Sequence, residues 1–148
     1  MMRPLQRGVT LVELLTVIVV VGILASIAVP SYRSYLLRAQ RTDAKTALLQ
    51  VQAAQEKFYL QNNRYLTDKT KIATKPPGGL GLTSTTSAGY YSLELANGLS
   101  EDSQTFLATA NAIPGKGQSD DTKCTAFSID DTGKRGAAGP GGSDYCWR

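Results

Sequence analysis

Three regimes of hydrophobic patterning follow one another along the chain. After a short basic start, Leu14 to Tyr32 runs 19 residues without a charge, mostly Leu, Val, Ile and Ala. A helix of that length, at 1.5 Å per residue, just spans a bilayer core of about 30 Å. A buried core helix is the alternative, but such helices are seldom apolar all round for five turns. From Arg33 the pattern changes. Leu37, Ala44, Val51 and Phe58 recur every seven residues, with Ala47, Leu48 and Ala54 on the same face. Arg41, Asp43, Lys45, Gln52, Gln55 and Glu56 fall largely between them, which predicts an amphipathic helix. No glycine or proline interrupts Ser31 to Tyr65, so anchor and amphipathic stretch are expected as one rod. Gly22 and Pro30 are its weak points, and Asn62 and Asn63 its terminators.

The third regime is β-like. A connector from Thr67 to Gly89, carrying "KPPGGLG" and "TSTTSAG", reads as an exposed loop. Strands are predicted at "YYSLELA" (90–96), with Tyr91, Leu93 and Leu95 on one face, at "TFLATA" (105–110), and at "CTAFSID" (124–130). "DDTGK" is a hairpin turn, and "GKRGAAGPGG" a glycine-rich loop closing on "DYCWR". The expected fold class is α+β, a long N-terminal helix packed on a small antiparallel sheet.

Composition removes several function classes. The chain has 148 residues, a formal net charge of +4 and no histidine. Histidine-based triads, histidine metal ligands and the usual neutral-pH base are therefore absent. The acid pairs Glu101/Asp102, Asp120/Asp121 and Asp130/Asp131 sit in Gly/Ser/Thr-rich turns, where local hydrogen bonding suits them. No EF-hand spacing accompanies them, and the glycines of "GKRGAAG" form no phosphate loop, so no metal or cofactor is expected. Arg64, Lys69, Lys71 and Lys75 cluster beside Tyr65, either as a solvated face or as a track for nucleic acid. Trp147 reads as a packing residue. Cys124 and Cys146 have neither zinc nor redox-motif spacing. Beyond a membrane anchor they read as one structural disulfide, worth roughly 3 kcal/mol. Two buried thiols are the alternative.

One residue breaks the apolar pattern. In "QRGVTLVELL" Glu13 lies five residues past Gly8, where an unpaired carboxylate in hydrocarbon costs at least ~2.5 kcal/mol. A cleavable secretory signal is a competing reading of the basic start, with Ala25, Ser26 and Ala28 as its small residues. However, "RGVTLVELLTVIVVVGILASIAVPSY" resembles the start of a type IV prepilin. The resemblance implies that a prepilin peptidase cuts between Gly8 and Val9 and that Val9 becomes the N-methylated first residue, where these proteins most often have phenylalanine. It implies that Glu13 neutralises that new amine, in its own subunit or a neighbour's. Gly22 and Pro30 match positions where pilin helices loosen or bend. The implied division is a removed leader over 1–8, a transmembrane and filament-core helix over 9–32, and a periplasmic or extracellular globular domain over 33–148. Before assembly the chain would cross the bacterial inner membrane once with its N-terminus cytoplasmic, and afterwards lie in the pilus. The charge count opposes that orientation, since Arg33, Arg38 and Arg41 outnumber Arg3 and Arg7.

Further along, "QEKFYLQNNRYLTD", "GKRGAAG" and the terminal "CWR" resemble the PilE-type minor pilins of type IVa pili. That implies a non-enzymatic structural subunit supporting filament initiation, twitching motility and adhesion. Its partners would be major and minor pilins, the peptidase and the inner-membrane assembly platform. A type II secretion pseudopilin shares the leader but usually lacks a C-terminal disulfide. A competence pilin binding DNA is the other alternative.

Overall fold

The computed structural model describes residues 8–98 and 104–148. Arg3, Arg7 and the Glu101/Asp102 pair lie outside the described residues. The chain divides into two compact units between Leu36 and Leu37, and helix α1 (Leu11–Asn62) contributes to both. In the first unit α1 is long and apolar enough to cross a membrane, and its side chains are exposed along the run.

In the second unit α1 turns one face into a core. Arg41, Ala44, Ala47, Leu48, Val51, Gln55 and Phe58 are buried there. The heptad positions were legible, and Leu37 and Ala54 lie partly buried at their margin. Arg41 and Gln55 correct the expectation that they sit on the polar face. Positions 41, 44, 48, 51, 55 and 58 share one stripe by helical spacing, and both polar residues are buried with partners. The Gln55 amide donates to the Leu66 carbonyl at 2.6 Å and accepts from the Leu66 N–H at 2.9 Å. It thereby serves the two backbone groups of the loop leaving the helix. Asn63 ends α1 with φ of 53°, the left-handed conformation that asparagine tolerates.

The sheet is an antiparallel meander in chain order: β1 (Tyr91–Asn97), β2 (Phe106–Ala112), β3 (Ala126–Asp130) and β4 (Arg135–Ala138). Its register places Leu93 opposite Ala110, Ala110 opposite Phe127, and Phe127 opposite Ala137. That row and its neighbours Tyr91, Leu95, Phe106, Ala108 and Ile129 form one core with the buried face of α1. The turn at 130–134 is a hairpin as expected. Asp130 accepts from Thr132 N and Oγ1 and from Lys134 N, so burial pushes its carboxyl up but these bonds outweigh it and hold it below the usual range.

Two elements depart from the sequence reading. The stretch expected as a glycine-rich loop contains strand β4, and the last residues form a short helix, α2 (Gly142–Trp147). Six residues cannot hold a helix alone. α2 is pinned by the Cys124–Cys146 disulfide, both of whose cysteines are fully buried. Ser143 Oγ accepts from the Ala137 N–H and Trp147 Nε1 donates to the Gly136 carbonyl, so α2 also covers the outer side of β4.

Gly139, before α2, sets how closely this segment approaches the turn leading into Cys124. Gly139 has φ of +110°, and a Cβ there would lie 2.5 Å from the Lys123 carbonyl oxygen. Gly142 also has positive φ, +69°, but its Cβ would meet nothing within 4 Å. Gly139→Ala is therefore expected to cost about 3 kcal/mol, through strain and clash together. Gly142→Ala should cost about 1 kcal/mol, from backbone strain alone. Denaturation midpoints of the two variants check this, and equal losses would refute the close approach.

Candidate functional site

The N-terminal residues singled out from sequence lie together at the start of α1. Thr10 is its N-cap: its hydroxyl oxygen accepts from the Glu13 N–H at 3.3 Å, and Glu13 Oε2 accepts from the Thr10 N–H and Oγ1, each at 3.2 Å. This reciprocal pair is a capping box, readable in the sequence as Thr-x-x-Glu before an apolar run. It was missed, and it gives Glu13 a local partner. It also fixes where the carboxylate points, namely at the backbone nitrogen one residue after Val9. Val9 itself is 74% exposed. Further along, Thr16 and Ser26 donate to the carbonyls of Glu13 and Ile23, so these hydroxyls are tied to the helix's own backbone. Gly22 and Pro30 both lie inside α1, which continues through them. Pro30 lacks an N–H and so withdraws the donor that the Ser26 carbonyl would otherwise receive.

The second unit carries a buried polar centre that sequence reading did not find. Arg41 Nε and Nη2 donate to Asp121 Oδ2 and Oδ1 at 2.6 and 3.0 Å. Asp121 also accepts from Gln118 Nε2 at 2.8 Å and, less closely, from Lys123 N and Cys124 N. Asp121 thus makes the local turn bonds its sequence neighbours suggested and, beyond them, pairs with a buried guanidinium. It joins α1 to the entry of the disulfide loop across 80 positions of chain. Burial would lower the Arg41 pKa, but Asp121 and Tyr145 together hold it above its ordinary value.

The four cations named from sequence, Arg64, Lys69, Lys71 and Lys75, are all exposed. Arg64 and Lys71 line a cleft of about 290 Å³ with Phe58, Asn62 and Tyr65. Lys71 is partly neutralised by Asp68 at 3.7 Å. A second set, not recognised in the sequence, gathers around the C-terminal helix. Arg41 and Lys123 lie over the Tyr145 ring, 5.1 and 5.6 Å from its centroid, and Arg135 lies 5.1 Å over Trp147. Lys45 Nζ donates to the Arg148 carbonyl, and its pKa is lowered by burial and then by the charges of Arg41 and Arg135. Lys45 and Arg148 alone are 103 positions apart, which is why no local run announced the set. Trp147 packs edge-on against Phe127, as a packing residue should. Among the described residues no group of acids and cysteines has the makings of a metal site.

Comparisons with known proteins agree on one family. Residues 3–29 match the prokaryotic N-terminal methylation motif, and residues 30–128 match the family described as "Type IV minor pilin ComP, DNA uptake sequence receptor". The chain is 32% identical to the type IV major pilin PilE1 of Neisseria gonorrhoeae over 118 residues, covering 78% of this chain and 67% of that one. It is 36% identical to the type IV major pilin PilA of Myxococcus xanthus over 77 residues, covering 52% of this chain and only 35% of the relative. In fold it is similar to the non-core minor pilin PilV of Neisseria meningitidis, with a TM-score of 0.50 and 20% identity over 72% of this chain and 90% of that one.

Proposed function

The chain belongs to the type IV pilin family, and from that premise we propose that it is a minor structural subunit of a type IV pilus, helping to start the filament and supporting motility and adhesion. In this reading a prepilin peptidase removes residues 1–8 and Val9 is N-methylated. Residues 9–32 then serve first as an inner-membrane anchor with a cytoplasmic N-terminus and later as filament core, while residues 33–148 stay outside. Major and minor pilins and the inner-membrane assembly platform are the partners. Gly22 and Pro30 let the core helix loosen as it packs.

The observation that carries the reading is the Thr10–Glu13 box. It holds a carboxylate beside the residue whose amine cleavage would expose, so the new positive charge has a counter-charge as it enters an apolar filament core. Intact-mass analysis of sheared pili tests the proposal. A chain beginning at methylated Val9 and present as a trace is expected. One retaining Met1, one starting after Ala28, or one dominating the preparation would overturn it.

A second reading, a DNA-uptake pilin, is favoured by one feature of this chain. Lys123 lies over the Tyr145 ring and Arg135 over Trp147, with Lys45 bonded to the Arg148 carbonyl, a combination of cations and rings suited to tracking a phosphate backbone. Fluorescence anisotropy with duplex DNA at several salt concentrations would separate the readings. A DNA receptor loses affinity steeply with salt, and Lys123→Glu with Arg135→Glu abolishes its binding. A filament subunit shows no binding at physiological salt.

A further inference from the structure

The cleft where the chain leaves α1 has no role in the reading above, yet the fold fixes the segments that form it. Gln55 holds both backbone groups of Leu66, and Asn62 Nδ2 donates to the Phe58 carbonyl at 3.0 Å. Asp68 Oδ1 accepts from Thr70 N and Oγ1 at 2.9 and 2.6 Å, and so caps a single 3-10 turn, Lys69–Lys71. Ile72, just after that turn, is buried, and its carbonyl accepts from the Leu82 N–H. The cleft, about 290 Å³, lies at the lower end of small-ligand pockets, room for one sugar-sized molecule.

Its lining is positive. Arg64 has no partner among the described residues, and Lys71 stands 3.7 Å from Asp68 Oδ2. Two cations thus face one carboxylate and roughly half a negative charge from the carbonyl end of α1. Phe58, Leu66 and Pro77 add apolar surface, and Asn62 and Thr67 an amide and a hydroxyl. We propose that this cleft binds a carboxylate-bearing sugar residue, of the uronate or sialate class, with Arg64 and Lys71 holding the carboxylate. A sugar ring has apolar C–H faces and a hydroxyl rim, which matches the mixed lining. A fatty acid would leave the amide and hydroxyl unpaired, and a free amino acid would bring an ammonium among two cations. Binding does not depend on the filament reading, which intact-mass analysis of pili tests separately.

The test titrates the full chain, in a detergent without a sugar head group, with methyl glucuronide, N-acetylneuraminic acid and neutral methyl glucoside, read by saturation-transfer NMR. Methyl glucuronide, with about 14 heavy atoms, should bind with a dissociation constant on the order of 1 mM, and the glucoside about tenfold more weakly. Whichever acid binds more tightly identifies the class. Arg64→Gln should weaken binding about tenfold. Asp68→Asn keeps an acceptor for Thr70 and removes the competing carboxylate, so it should tighten binding about threefold, a gain that misfolding cannot imitate. Lys75→Gln, outside the lining, should change nothing. Equal binding of the glucoside and the acids, no binding of any, or full retention by Arg64→Gln would overturn the site. Displacement of the sugar by duplex DNA would overturn it too, and assign the cleft to nucleic acid.

Discussion

Glu13→Val will be processed and inserted into the membrane as well as wild type, yet its incorporation into sheared pili will fall on the order of a hundredfold or more. Insertion survives because a charge has been removed from an apolar run. Incorporation falls because a buried amine loses its counter-charge, a defect worth about 3–5 kcal/mol. The capping box adds a way to separate the two roles of this side chain. Glutamine serves at the third helical position as well as glutamate does. Glu13→Gln therefore keeps the bonds to Thr10 and loses only the charge, while Glu13→Asp keeps the charge on a shorter reach. If charge pairing governs assembly, Gln fails like Val and Asp is intermediate. Comparing each variant in membranes and in filaments decides it: full incorporation of Glu13→Gln would reduce the residue to a helix cap.

The second large effect belongs to Asp121. Asp121→Ala should lower the melting midpoint by about 10–20 °C, because it strands the buried Arg41 guanidinium and leaves the Gln118, Lys123 and Cys124 donors without an acceptor. Arg41→Ala should cost less, since Asp121 keeps those three donors. Arg41→Lys should not rescue, because an ammonium cannot reproduce the two-pronged contact. Thermal unfolding of the full chain in detergent checks the order. A midpoint for Asp121→Ala within about 2 °C of wild type would show that the pair contributes little, as exposed pairs do.

What was legible in the sequence was whatever repeats with a period. The apolar run, the 44–48–51–58 stripe and the alternation of Tyr91, Leu93 and Leu95 announced α1 and β1 because burial follows those spacings directly. Arg41 and Gln55 occupy the same stripe, but their burial depends on partners 80 and 11 positions away, which a local pattern does not contain. β4 was hidden because a strand of Arg, Gly, Ala and Ala carries almost no β-propensity. It exists because β3 pairs with it and α2 covers it. α2 in turn rests on a disulfide and an indole hydrogen bond rather than on helix-forming residues. At the N-terminus the signal was present: Thr10 and Glu13 spell a capping box, although the carboxylate was read only as a charge awaiting an amine. The second cation set was illegible for the same reason as the Arg41–Asp121 pair, being assembled from α1, the turn before β3, β4 and the C-terminal segment.

The disulfide loop also bears on how the subunit fares among secreted proteases. Lys134 stands exposed at the tip of the β3–β4 hairpin with Arg135 beside it, inside the loop that Cys124 and Cys146 close. A trypsin-like cut there severs the chain without releasing anything. The C-terminal fragment, with α2 and most of β4, stays tethered by its sulfur and remains docked on the rest of the sheet. A subunit nicked there therefore runs as one full-length species until a reductant is added, and damage at this exposed basic pair does not shed its C-terminal surface.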